Sequence, residues 1–332
     1  MAADGIRRIA VEEAFAVPEQ LDELARLAEI ASAYDPDLAL AKRQAGGGAM
    51  TNALLDIEGE RLRLMDEARL DMALLLLTAP GLQLFEPAMA SNMAVKINDM
   101  LAAVVARHPA RFAALAAIAP QAPVQAVKEI ERAMTKLGHR GIVINSHTDG
   151  EYLDEEKYWP ILEAAEALGA PVYIHPRAPI PAMAQAYRKN GLEHAIWGFQ
   201  AETGLHALRL ITSGIFDRFP KLNIVLGHAG EGLPFWIERV DYMHAKPRGR
   251  PVLKEKPSHY LRNNFWFTTS GMNWHKSVRF LVDAMGADRV MFAADYPYQH
   301  MHEEAALMNT APLSEEELRQ VYSGTSAKLF RL

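Results

Sequence analysis

Short apolar runs alternate along the chain with longer stretches whose apolar residues recur at helical spacing, a pattern that predicts repeated strand and helix units around a parallel sheet. Eight runs read as strands. "IRRIAVE" ends at Glu12, "DMALLLLTAP" near Thr78, "RFAALAAIAP" near Pro120 and "GIVINSH" near Asn145. "PVYIHP" then ends at His175, "LNIVLGH" at His228, "NFWFTTS" near Thr269 and "RVMFAAD" at Asp295. Between and after them lie helical segments such as "MAVKINDMLAAVVARH", "PVQAVKEIERAMTKLG" and "WHKSVRFLVDAMG", several closed by Gly or Pro where a helix should stop.

Eight such units predict a (β/α)8 barrel occupying residues 1–332 as a single domain, larger than the roughly 250 residues of a minimal barrel. The surplus falls in two places, "IASAYDPDLALAKRQAGGGAM" and "PRAPIPAMAQAYRKNGLEHAIWGFQ". Both are expected as insertions in βα loops, on the face where a barrel keeps its site. A doubly wound open sheet is the competing fold. It usually carries a glycine-rich first turn for phosphate, and "EEAFAVPEQ" has no such turn. The basic stretch "KPRGRPVLKEKPSHYLR" reads as a surface loop or subunit contact.

Composition narrows the partners. The 332 residues are 50% hydrophobic and 23% charged, with a formal net charge of -6 and a pI near 6.1, so no extended basic surface is offered to nucleic acid. The absence of cysteine removes disulfides, thiolate metal sites and a cysteine nucleophile together. The N-terminal stretch lacks a secretory pattern, and apolar runs such as "MALLLL" are too short to cross a membrane. A cytoplasmic protein without nucleic-acid or membrane partners is expected.

In a barrel, side chains at the C-terminal strand ends converge whatever their separation in sequence. Those positions carry Glu12, Asn145, His175, His228 and Asp295. Ionisable groups that end apolar strands carry a desolvation cost unless they are paired or bound to metal. Glu12, His175 and Asp295 form the expected ligand set for one divalent ion such as Mn²⁺ or Zn²⁺. In "GHAGEGLP", Glu231 lies one turn beyond His228, close enough to fix its tautomer, which makes His228 a proton-transfer residue or, alternatively, a further ligand. Trp197 and Phe199 of "AIWGFQ" either wall the site or belong to the core. A noncatalytic barrel that binds a small molecule or serves as an assembly subunit is the non-enzymatic alternative.

The stretches "VEEAFAVPE", "YIHPRAP", "LGHAGEGLPFWIERVDYMH" and "AADYPYQ" together resemble the decarboxylating branch of the amidohydrolase superfamily. Within that branch, "EEAFA", "INSHTDGEYLDEE" and "DYPYQ" look most like the 5-carboxyvanillate decarboxylases. The resemblance implies nonoxidative removal of a carboxylate from an ortho-hydroxy aromatic acid, giving vanillate and CO2 from 5-carboxyvanillate. The γ-resorcylate and 2,3-dihydroxybenzoate decarboxylases are its nearest alternatives. By motif, Glu12, His175 and Asp295 would hold Mn²⁺, with Zn²⁺ as the ion of some relatives, while His228 and Glu231 would complete an acid relay with Asp295. Arg61 and Tyr298 would touch the substrate, and with an aromatic acid bound, Phe199 would be the side chain that walls its ring. Arg239 would reach the site of a neighbouring subunit in a homodimer or homotetramer. The first strand shows Glu12 and Ala14 in place of the H-x-H of many hydrolytic members, and the fourth lacks their lysine. A single metal follows, and a mononuclear hydrolase remains the rival activity.

Overall fold

The computed structural model describes residues 5–246, 251–272 and 274–332. Part of the basic stretch, 247–250, therefore lies outside the described residues. The strands are β1 (Ile9–Phe15), β2 (Met72–Leu77), β3 (Phe112–Ala114), β4 (Ala116–Ala117), β5 (Ile142–Asn145), β6 (Val172–His175), β7 (Ile224–Leu226), β8 (Phe265–Thr268) and β9 (Val290–Met291). Neighbours run parallel in the order β1-β2-β3 and β4-β5-β6-β7-β8-β9.

The two sheets are parts of one ring. β3 and β4 are the third expected strand, interrupted at Leu115, whose N–H donates to Leu75 O at 2.9 Å while Ala116 N–H donates to Gly141 O at 2.9 Å. The hydrogen bonds thus pass from β2 to β5 across a single residue. At the other side, Val11 N–H donates to Phe292 O (3.1 Å) and Ala14 N–H to Tyr296 O (2.8 Å), joining β1 to the segment after β9. This is the (β/α)8 barrel expected from the alternation. Strands such as β2, "MALLLL", are buried along their whole length because one face fills the barrel and the other meets helices.

Three strand ends differ from the sequence reading. β1 continues past Glu12 to Phe15, with its register against β2 shifting between Ala10 and Glu13. Such a bulge re-aims side chains locally, and Glu12 and Glu13 are both fully buried. β7 and β9 end at Leu226 and Met291, short of His228 and Asp295, which themselves adopt φ of 50° and 59°. A left-handed residue cannot continue a strand.

The insertions fold rather than loop. The first forms helix Pro36–Ala45 and leads into helix Ala49–Leu55, the former capped by the Asp35 carboxylate, which accepts from Asp37 and Leu38 N–H. The second contains helix Pro181–Arg188. They clasp each other: Tyr34 OH donates to Glu193 Oε1 (2.7 Å), His194 Nε2 lies 2.9 Å from Pro36 O, and Arg177 pairs with Asp37 at 2.6 Å with both side chains buried. Among the described residues, no helix is long and apolar enough to cross a membrane.

Candidate active site

The bulge in β1 aims Glu12 into the barrel, where it is fully buried. Its Oε2 accepts from the hydroxyls of Thr268 (2.8 Å) and Ser270. Its Oε1 has no hydrogen-bond partner. Instead, His175 Nε2 stands 3.7 Å away and His228 Nε2 3.8 Å away. Gly227 makes this approach feasible, since a Cβ there would lie 3.0 Å from Glu12 Oε1.

The two imidazoles are oriented from behind. His175 Nδ1 lies 2.9 Å from Pro176 O, an acceptor, so that nitrogen carries the proton and Nε2 turns a lone pair inward. His228 Nδ1 lies 2.8 Å from Glu231 Oε1, the tautomer-fixing contact expected from "GHAGE". Its Nε2 also faces Asp295 Oδ2 at 3.8 Å. Burial lowers His175 to about 4. Burial opposes a charged His228 as well, but Glu231 and Glu12 outweigh it and hold the imidazole well above its ordinary range. The reverse balance applies to Asp295, which burial pushes up to about 6 against the attraction of His228. Glu13 is pushed up to about 8 by burial, although Ala294 N–H donates to its Oε1 at 2.9 Å.

A buried carboxylate oxygen without a hydrogen bond, faced by imidazole nitrogens, fits a divalent cation. Among the described residues, Glu12, His228 and Asp295 have ligand atoms that all lie within 4.8 Å of one another. The expected ligand set has His175 in place of His228. Both imidazoles turn Nε2 toward Glu12 Oε1, His175 at 3.7 Å and His228 at 3.8 Å, and the left-handed turn after β7 also brings His228 Nε2 to Asp295 Oδ2, so either can complete a set with Glu12 and Asp295.

The remaining candidates divide. Tyr298 is half-buried near the mouth, its hydroxyl bonded to Thr78 Oγ1 and receiving Gln44 Nε2 at 2.6 Å. Phe199 is half-buried with its ring edge-on to His194, 5.7 Å between centroids, whereas Trp197 is largely exposed. Arg61 is fully buried, with Nη2 donating to Ala14 O (2.6 Å), Nε to Asp56 O (3.3 Å) and the guanidinium over the Tyr296 ring, while its Nη1 has no hydrogen-bond partner. Arg239 is exposed on helix Leu233–His244, beside the exposed Phe235 and Trp236. The sequence reading missed Thr268 and Ser270, neutral hydroxyls in "FTTSG" that a search for ionisable strand ends passes over.

A family profile described as amidohydrolase matches residues 50–332. The gamma-resorcylate decarboxylase of Polaromonas sp. (strain JS666) is 36% identical over 338 aligned residues, covering 98% of each chain. The crystal structure of 5-carboxyvanillate decarboxylase from Sphingomonas paucimobilis is 44% identical, with a TM-score of 0.96 over 99% of this chain and 100% of that one. The 5-carboxyvanillate decarboxylase of Novosphingobium aromaticivorans, solved with manganese and 3-methoxy-4-hydroxy-5-nitrobenzoic acid, is 38% identical with a TM-score of 0.96 over 100% of this chain and 99% of that one.

Proposed function

The chain belongs to the amidohydrolase family, and from that membership we propose that it is a metal-dependent decarboxylase of ortho-hydroxy aromatic acids, with 5-carboxyvanillate as its substrate. The observation that carries the reading is the buried, unbonded Glu12 Oε1 faced by two imidazoles, in a chain so similar to 5-carboxyvanillate decarboxylases along its whole length.

Glu12, His175 and Asp295 would hold the ion, with Mn²⁺ favoured because a similar decarboxylase contains it and Zn²⁺ as the alternative. Bound there, the cation would supply Lewis acidity to the acid substrate. The protein's own contribution is the proton. Asp295 delivers it to the ring carbon bearing the carboxylate, forming a C–H bond and interrupting aromaticity. The bond to the carboxylate then breaks, its electron pair restores the ring, and CO2 leaves. His228, held by Glu231 and 3.8 Å from Asp295 Oδ2, returns the proton that Asp295 has lost.

Phe199 and Tyr298 border the ring in this reading. Arg61 is held at the β1 end by main-chain carbonyls through Nε and Nη2, and its buried Nη1, which has no hydrogen-bond partner, is the group that would meet the substrate. Arg239 serves a second copy of the chain. Its helix carries Phe235 and Trp236, whose rings pack 5.3 Å apart, and Phe235 lies 6.0 Å from the exposed Phe280, so a homodimer or larger homo-oligomer would cover this aromatic face.

Turnover of 5-carboxyvanillate in D2O, with Mn²⁺ and Zn²⁺ supplied separately, tests the proposal. Ring protonation places one deuterium on the carbon that lost its carboxylate, whereas hydrolysis leaves no such label. The similarity to gamma-resorcylate decarboxylase over 98% of both chains makes γ-resorcylate the second substrate to try. If it reacts while 5-carboxyvanillate is inert, the reaction class stands and the substrate does not; if every ortho-hydroxybenzoate is inert with metal bound, the decarboxylase reading fails.

A further inference from the structure

Asn145 ends β5 in register with His175 at the end of β6, across an interstrand spacing of about 4.8 Å. Side chains paired in parallel register project to the same face of a sheet. His175 projects inward, since its Nε2 lies 3.7 Å from Glu12 Oε1 on β1, a strand that does not neighbour β6. Asn145 therefore aims its carboxamide into the mouth of the barrel, beside a side chain of the proposed metal site.

That carboxamide has little structural employment. The main-chain groups of Asn145 are held by Gln83, whose Oε1 accepts from Asn145 N–H at 2.7 Å and whose Nε2 donates to Asn145 O at 3.0 Å. The strand end is thus fixed without help from the side chain. Asn145 is 3% exposed, and its Oδ1 has no hydrogen-bond partner. A buried carbonyl oxygen left without a partner destabilises a protein, so such groups in native structures call for an explanation. The loop after β2 leaves room for the carboxamide: Gly81 has φ 68°, and a Cβ there would collide with Asn145 Nδ2.

We propose that Asn145 is a specificity-determining residue that touches the aromatic acid, its carboxamide pairing with an oxygen substituent of the ring. An amide offers an acceptor and a donor side by side. Oδ1 takes a hydroxyl proton, or Nδ2 gives a hydrogen bond to a carboxylate or ether oxygen. The inference rests on the decarboxylase reading and adds to it a residue that makes no hydrogen bond to Glu12 or Asp295 among the described residues. The competing account is purely structural, with the carboxamide serving only to support the Gly81 loop.

The test uses the Mn²⁺-loaded full-length chain and its Asn145→Leu and Asn145→Ala variants. Calorimetric titration with 3-methoxy-4-hydroxy-5-nitrobenzoic acid reads binding apart from turnover, while metal content and the unfolding midpoint report on the fold. Loss of a hydrogen bond to a charged ligand weakens the complex by about 10-fold to 100-fold, so that loss is expected in the analogue Kd and in kcat/KM, with metal content unchanged. If Leu at this position prevents folding, the smaller Ala variant provides the reading. Unchanged analogue affinity in a folded variant overturns the assignment, and a lowered midpoint with unchanged affinity establishes the structural account instead. A wild-type protein that neither binds the analogue nor turns over any ortho-hydroxybenzoate removes the decarboxylase reading and Asn145's role with it. One that turns over an acid as fast as both variants do removes the role of Asn145 alone.

Discussion

Asp37→Leu should expose how the two insertions support the site. Asp37 and Arg177 are about as deeply buried as an ion pair can be, with side chains 3% and 2% exposed. Asp37 Oδ2 accepts from Arg177 Nε at 2.8 Å, and its Oδ1 accepts from Ala178 N–H at 3.0 Å. Leucine preserves most of the volume but leaves the guanidinium with His147 O, at 2.8 Å from Nη1, as its remaining hydrogen-bond partner. Removing one member of a buried pair costs about 3–5 kcal/mol. With an unfolding entropy of about 2.1 cal/mol/K per residue, a chain of this size loses roughly 4–7 °C in Tm. The assay is thermal unfolding followed by circular dichroism, together with steady-state rates at saturating metal. Asp37→Leu/Arg177→Met should recover most of the stability, because replacing both charges removes the stranded cation. Its activity should stay low, since the clamp on the turn that follows His175 is still missing. A single variant as stable as the parent, or a double variant no more stable than the single, would refute the reasoning.

Glu12→Gln, His175→Ala and Asp295→Asn should each lower bound metal or abolish turnover, because three protein ligands leave little redundancy; elemental analysis after gel filtration checks this, and full occupancy with normal rates in two of them removes the ligand set. His228→Asn should retain metal and substrate affinity while kcat falls about 10²–10⁴-fold, the usual scale for a lost proton-transfer group; stopped-flow and steady-state rates decide it. Glu202, buried against the Ser146 and Tyr152 hydroxyls, is pushed up to about 7 by burial from a reference of 4.5. The folded state thus holds a proton that the unfolded state releases, so this stability is fully present below pH 4.5 and is lost as pH rises through 7, on the order of 3 kcal/mol in all. Glu202→Gln should flatten urea-unfolding free energies across that interval, and an unchanged slope would count against the assignment.

The barrel was legible because its strands are buried on both faces, so "MALLLL" and "GIVIN" stand out as unbroken apolar runs. The strand-end rule also found Glu12, His175, His228 and Asp295, since a charge closing such a run is conspicuous. The local turns around these residues were less readable. Nothing in "VEEAF" signals the bulge that buries Glu12 and Glu13 together, and nothing in "AADYP" signals that Asp295 leaves the strand in a left-handed conformation. Arg61 shows the complementary limit. In sequence it is an arginine in a polar helix, and only the packed structure reveals its capture by the carbonyls of Ala14 and Asp56.

His228, Ala229, Glu231 and Asp295 hold φ between 50° and 59° without being glycine, a conformation that costs an L-residue roughly 1–2 kcal/mol. Four such residues around one site mean that heat resistance and catalysis pull in opposite directions here. A laboratory selection for thermal endurance alone would be free to enrich glycine at these positions, relaxing the backbone while removing the groups proposed to manage the proton and the ion. Any programme to harden this protein for use should therefore hold this turn and Asp295 fixed and look for its gains at the rim of the barrel.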